Sequence, residues 1–417
     1  MNGSQDDNDR IVITGIGAIS SVGNDRESVW RAVRHGVSGV RRLTGVPLIP
    51  DGMMLGAPVD IEPDEPGGLK VTALCLHAAE EAIRDAGNAL AATAPERFGC
   101  AISGHIGDLD WIAEQVGRND LIAPGKVPWV QQWLPNSTCA RVATRYGLHG
   151  PRICHSTACA SGLIDFLSAV RAIEDGQCDA ALAGSAEAIH PLFAAGFRQM
   201  RVLAEHDDPQ AACRPFDADR RGFVMGEGAA MFVIERLACA RRRGAKIYAE
   251  VLGGRMLADA HHVTGLSAES DTLAHLITGT LRRSRLAPAD IAYINAHGTG
   301  TQQNDVMETR GIRMALGSAA QRVCVSSIKS MLGHLVNAAG SVELAITALA
   351  LRDGFVPPTL NLTNPDPECD LDCIPLVGRP IQFEHALKIS VAFGGHLAAV
   401  ALRRWDEAAA GRVGRAA

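Results

Sequence analysis

No apolar run in this 417-residue chain reaches the length of a membrane span. The opening stretch Met1-Asn2-Gly3-Ser4-Gln5-Asp6-Asp7 is polar and acidic. It has neither the basic start nor the apolar centre of a secretory leader. Neither sign of charge dominates. The net charge is −6, and basic runs such as Arg241-Arg242-Arg243 are short, so composition calls for neither nucleic acid nor a membrane surface as partner. The 11 cysteines are an odd number without paired zinc spacing. Cys154 and Cys159 form one close pair and Cys369 and Cys373 another of different spacing, and neither has a matching second pair. These absences lead to the expectation of a cytoplasmic chain with reduced, mostly buried thiols and no metal site.

What is present is the composition of a globular protein, with 47% hydrophobic residues. The length suits two to three domain-sized units, or one α/β body whose halves share a core. Ile11 to Thr14 reads as a buried strand, with Gly15 and Gly17 as tight-turn residues. A dinucleotide fingerprint fails here. Its third glycine position is Ser20, and no acid follows at the required distance, which disfavours a nicotinamide oxidoreductase. Lys70 to Ala86 has helical periodicity, and Phe98 to Ile102 reads as a strand. Residues 103–150 are irregular and carry Trp111, Trp129 and Trp133, as an insertion that shapes a binding surface does.

Arg152 to Thr157 is a short extended run. It leads through Ala158-Cys159-Ala160-Ser161-Gly162 into a helix with apolar residues at 163, 164, 166, 167, 170 and 173. Asp179 to Gly184 is another strand. The second half repeats this grammar, with strands opening at Lys246, Ile291 and Val323, polar glycine-rich turns, and an apolar helix after His334. Two such halves, residues 10–245 and 246–405, imply an internal duplication. Alternating strands and helices predict parallel sheets covered by helices, with reactive groups beyond the carboxyl ends of the strands.

Cys159 differs from the other cysteines by its setting. Small neighbours allow a carbonyl to approach, and the start of a helix favours thiolate and offers free N–H groups to an oxyanion. By itself it reads equally well as a buried structural cysteine. His297 and His334 tip the balance. Both sit in glycine-rich turns, which a histidine needed only for packing does not require. One thiol with two imidazoles fits thioester chemistry with two hydrogen-bond donors. A protease-like Cys–His pair has no use for the second ring.

Three segments carry a family resemblance: Ser156-Thr157-Ala158-Cys159-Ala160-Ser161-Gly162, Asn295-Ala296-His297-Gly298-Thr299-Gly300-Thr301 and Ser327-Ile328-Lys329-Ser330-Met331-Leu332-Gly333-His334. They resemble the signature motifs of the β-ketoacyl synthases, most closely the elongating type II (FabF-like) enzymes. Arg214-Pro215-Phe216-Asp217, Gly222 to Gly228 and Val356 to Asn361 extend the likeness, which spans about residues 10–403. The resemblance implies a thiolase-type fold, a duplicated αβαβα sandwich, and a homodimer. It implies acyl transfer from an acyl carrier protein's phosphopantetheine to Cys159, then decarboxylative condensation with a malonyl thioester, with no bound cofactor. It assigns the charge on the malonyl thioester oxygen to His297 and His334. Lys329 with Glu308, in the Asp305–Glu308 segment, becomes a supporting ion pair. The backbone N–H groups of Cys159 and Phe393 become the oxyanion hole, and Thr299 and Thr301 the contacts of the pantetheine arm. Trp111 and Ile112 fall where the acyl pocket is lined across the dimer interface. Phe197 and Phe393 fall at its mouth, with Phe393 as gate. Lys70, Lys126, Arg198 and Arg201 are candidates for the carrier surface, with solvated surface charge as the equal alternative.

The gate segment departs from the family pattern Asn-Ser-Phe-Gly-Phe-Gly-Gly-X-Asn. This chain has Ile389-Ser390-Val391-Ala392-Phe393-Gly394-Gly395-His396-Leu397. Ala392 forbids backbone angles open to glycine, and Leu397 lacks a loop-holding amide, so altered gate motion is expected. Within the same fold the alternatives are a priming acyltransferase or decarboxylase, and the catalytic partner of a chain-length-factor-like subunit in a heterodimer.

Overall fold

The computed structural model describes residues 10–406 apart from 47–48, 64, 66–67, 105–133 and 266. Trp111, Ile112 and Lys126, with most of the expected insertion, lie outside the described residues.

Ten strands form one sheet: β1 Ile11–Ser20, β2 Phe98–Gly104, β3 Arg152–Ile153, β4 Ala180–Glu187, β5 Gly228–Arg236, β6 Ala249–Ala258, β7 Ile291–Asn295, β8 Cys324–Ser326, β9 His385–Ala392 and β10 His396–Arg404. Across the sheet they run β3-β2-β4-β5-β1 and then β6-β10-β9-β7-β8. The second group is the first with every number raised by five, read in reverse. Pairing directions also match: β2–β4 and β7–β9 are parallel, while β4–β5 and β9–β10 are antiparallel. The groups join where Ile11–Ile13 pair with Ala249–Val251.

Among the described residues, six helices cover the sheet in corresponding places: α1 Lys70–Asp85, α2 Ser137–Tyr146, α3 Ser161–Glu174, α4 Asp271–Arg283, α5 Gln302–Leu316 and α6 Ala339–Asp353. Helices α1 and α2 pack outside the first group of strands, and α4 and α5 outside the second. Helices α3 and α6 pack against each other between the two groups. The layers are therefore αβαβα. The central pair is buried almost all round, 11 of 14 residues of α3 and 13 of 15 of α6, as a helix between two layers of strands must be.

The central helices meet at glycines in equivalent positions. A Cβ on Gly162, the second residue of α3, would lie 2.3 Å from Ser341 Oγ. A Cβ on Gly340, the second residue of α6, would lie 2.9 Å from the Leu163 nitrogen. Gly15 and Gly17 are a correction to the sequence reading. The strand continues through both, with a bulge just before Gly15. A Cβ there would stand 2.2 Å from Ala82 O and 2.0 Å from Ala78 O, so these glycines let α1 lie close on β1 and make no turn. All eleven cysteines are free, and nine are buried.

Candidate active site

The site forms where β7, β8 and β9 end and where α3 begins, at the carboxyl edge of the strands. Cys159 lies in a single 3-10 turn, Ala158–Ala160, that feeds into α3. Ala158 adopts φ +47, a left-handed conformation that costs a residue with a Cβ about 1–2 kcal/mol. Ser161 Oγ holds the turn by donating to Ala158 O at 2.8 Å and accepting from the Thr157 N–H at 2.9 Å. The strained residue directs the cysteine side chain into the cavity.

His297 follows β7 on a turn with left-handed Gly298 and Gly300. Glu308, nearly two turns into α5, accepts the N–H groups of His297 at 2.6 Å and Gly298 at 2.7 Å. Asp305 accepts those of Phe216 at 2.8 Å and Gly300 at 3.1 Å. Thr301 caps α5, and its hydroxyl lies 2.9 Å from that of Thr299. His334 follows left-handed Gly333. It is clamped to a neighbouring segment, donating its N–H to Val224 O and accepting from the Gly226 N–H.

These turns bring together groups that are far apart along the chain. His334 Nε2 lies 3.0 Å from Cys159 Sγ. The two imidazole centroids are 5.3 Å apart and nearly perpendicular, and the three donor atoms fall within 4.8 Å of one another. The Val336 N–H donates to His334 Nδ1 at 3.2 Å, so the neutral ring carries its proton on Nε2, facing the sulfur. A metal ion at Nε2 would need a ring stripped of both protons, which disfavours this trio as a metal site despite its spacing.

Burial holds both imidazoles well below the ordinary histidine pKa, and the Lys329 ammonium adds to the effect. Both rings are therefore neutral donors near pH 7. Burial also pushes the Cys159 thiol up to about 12, with Lys329 pulling the other way. The start of α3 and the His334 N–H favour the thiolate as well.

Lys329 corrects the expected ion pair. Its Nζ pairs with Glu343 of α6 at 2.6 Å, not with Glu308. The same Nζ donates to His297 O at 2.5 Å and lies 3.5 Å from His297 Nδ1. Glu308 is already engaged by two backbone N–H groups, while Glu343 reaches the lysine from the central helix layer. Sequence reading missed Glu343 and also Lys388, whose Nζ stands 2.8 Å from the other Glu343 oxygen. The available signal was one acid in the apolar run of α6 and one lysine in the apolar strand β9.

A cavity of about 390 Å³ opens onto Cys159, His297 and His334 and is lined also by Thr299, Thr301, Phe197, Phe393 and Arg201. Phe197 and Phe393 face each other at 6.3 Å, and Phe223 bridges from Phe197 to the His334 ring. Ala392, at the entry to the Phe393 turn, is extended at φ −140 and ψ 154, a conformation open to any residue. Leu397 is buried in β10. A second groove of about 710 Å³ adjoins the cavity at Arg221 and Phe223 and includes Arg198. Arg198, Arg201 and Arg221 are exposed. Lys70 is instead tied to buried Glu227 at 2.6 Å, which removes it as a free surface cation.

The duplicated sandwich and its helix-capped strand ends define a thiolase-type fold. Two family models match, β-ketoacyl synthase N-terminal domain over residues 70–240 and C-terminal domain over 248–363. The chain is 38% identical to the tetracenomycin polyketide synthase ketoacyl synthase alpha subunit of Streptomyces glaucescens, covering 95% of this chain and 98% of that one. It is 37% identical to 3-oxoacyl-[acyl-carrier-protein] synthase 2 of Synechocystis, with the same coverage. Among solved structures, a type II polyketide acyl carrier protein in complex with its ketosynthase (AntDE:AntF) superposes with TM-score 0.88 at 32% identity, covering 95% and 99% of the two chains. The ishigamide ketosynthase/chain length factor gives 0.85 at 30%, with the same coverage. The chain belongs to the β-ketoacyl synthase family. It is a condensing acyltransferase of the 3-oxoacyl-[acyl-carrier-protein] synthase type, in fatty-acid or polyketide synthesis. Among the described residues no helix is long and apolar enough to cross a membrane.

Proposed function

We propose that Cys159 takes the acyl group and that His297 and His334 stabilise the carbanion that extends it. The observation that carries this reading is the convergence of Sγ and two buried imidazoles in one cavity, with His334 Nε2 at 3.0 Å from the sulfur. Attack by Cys159 on an acyl thioester releases a thiol, so the cysteine proton has a stoichiometric acceptor. A malonyl thioester then loses carbon dioxide. The electron pair of the broken bond becomes an enolate whose oxygen accepts the imidazole N–H groups. Each such donor is worth about 2.7–4 kcal/mol in a site that excludes water. The enolate carbon attacks the acyl-Cys159 carbonyl, and the C–S bond breaks to give a 3-oxoacyl thioester.

In this reading Thr299 and Thr301 bind the pantetheine arm, Phe197 and Phe393 guard the mouth, and the Cys159 and Phe393 N–H groups hold the oxyanion. Arg198 and Arg201 attract an acidic carrier protein. The chain divides functionally at 245/246 and works in the cytoplasm. A second copy of this chain, or a chain-length-factor-like subunit, completes the enzyme. The alpha-subunit relative and the ketosynthase/chain length factor structure favour the second partner. The test is to incubate the protein with acyl- and malonyl-carrier proteins and measure mass gain at Cys159 and the product. A two-carbon longer 3-oxoacyl product is expected. Acylation without extension indicates a priming acyltransferase and overturns the condensing roles of the histidines.

A further inference from the structure

Lys388 has no part in the roles above. It stands in β9 with its side chain fully buried, and an ammonium is kept there only if well partnered. Its Nζ pairs with Glu343 Oε2 at 2.8 Å. It also donates to Asn295 O at 3.4 Å, Ala296 O at 3.3 Å, and Ile389 O. Asn295 and Ala296 are the two residues that lead into His297, so Lys388 grips the catalytic turn from behind while Lys329 grips it at His297 O. It does not line the cavity.

Six buried charges surround this turn: Lys329, Lys388 and Arg220 against Glu343, Glu308 and Asp305. Without Lys388, one buried carboxylate has no counter-charge, and its least costly relief is to take up a proton. A protonated Glu308 would weaken its hold on the His297 and Gly298 N–H groups.

We propose that Lys388 is a positioning residue for carbanion formation: it fixes the His297 turn through the carbonyls of Asn295 and Ala296 and supplies a second positive charge beside Glu343. This rests on the roles assigned above to His297 and His334. The groups facing Lys388 are Glu343 from α6, Glu308 from α5, Lys329 from the short helix Lys329–Leu332, the His297 turn after β7, and the His334 ring before α6. Burial pulls the Lys388 ammonium down to about 8, with Glu343 opposing and Lys329 reinforcing. Below that pH the lysine is charged and the site complete; above it the charge is lost. Carbon dioxide release therefore falls as pH rises through about 8.

The test measures label released from a carrier-bound malonyl thioester labelled in its free carboxyl group, across pH, for wild type, His297→Ala and Lys388→Met. The expected result at pH 7 is a loss of about tenfold or more in Lys388→Met, the scale of weakening one oxyanion donor. Its alkaline limb should vanish, and Cys159 should still be alkylated by iodoacetamide near the wild-type rate. An unchanged rate and pH profile in Lys388→Met, with release lost in His297→Ala, overturns the inference and leaves the proposed function standing. No release by wild type that still acylates Cys159 overturns the function itself. If Lys388→Met does not fold, Lys388→Arg decides: loss of the alkaline fall seen in wild type, with release retained at pH 7, supports the inference, and a profile identical to wild type overturns it.

Discussion

Ala158 holds a left-handed backbone one residue before the sulfur, and the Ser161 hydroxyl ties that turn down by donating to Ala158 O and accepting from the Thr157 N–H. The cysteine is thus aimed by strain that the fold maintains. Ser161→Ala should leave the chain folded but slow acylation of Cys159, measured as mass gain against time; an unchanged rate would mean the turn holds itself. Replacing His334 by Ala removes the N–H facing Sγ. It should lower carbon dioxide release by about 10²–10³-fold, as loss of one preorganised donor does. The buried imidazoles also make stability depend on pH. Their folded pKa lies below the unfolded value, so as pH falls through about 6.5 the unfolded chain binds protons that the folded one refuses. Melting temperature should drop between pH 7 and pH 5.5, and drop less in His334→Gln.

At the scale of elements, close approach decides the geometry. Helices α3 and α6 cross at Gly162 and Gly340, each glycine facing the residue after the other. That crossing sets the distance between the head of α3, which bears Cys159, and the His334 turn before α6. Gly162→Ala pushes a methyl against Ser185 Oγ and Ser341 Oγ at 2.2 and 2.3 Å, and should cost about 1–3 kcal/mol. Gly340→Ala should do the same. The double variant should deviate from additivity because the sites touch. Denaturant midpoints of the four proteins check both points. The strand–turn–helix grammar of each half was legible from hydrophobic periodicity. The reason for Gly15 and Gly17 was not, because a turn and a tightly packed helix call for the same missing side chain.

Over the whole molecule the two halves share the α3–α6 layer, so each half alone would expose a face made to be buried. Residues 10–245 and 246–405 expressed separately should bind a hydrophobic dye and melt without cooperativity, and should regain a sharp transition when co-expressed. Surface charge sorts in a similar way. Arg198→Ala and Arg201→Ala should raise KM for carrier-bound substrate, more at low salt than at high salt. Lys70→Ala should lower the melting temperature with little change in that KM, because its charge is committed to buried Glu227.

The order of residues by itself pointed to thioester chemistry, and its resemblance to the β-ketoacyl synthase motifs to condensation. Cys159, His297 and His334 each require a glycine- or alanine-rich turn, and such turns are written locally. The repeat of strand, turn and helix likewise needs no more than periodicity. Only the tertiary structure decided which acid serves Lys329, that Lys388 joins it, and which cations remain free at the mouth. Glu308 and Glu343 look alike along the chain. A buried charge chooses its partner by distance through the core, and that distance exists only once the halves have closed on each other.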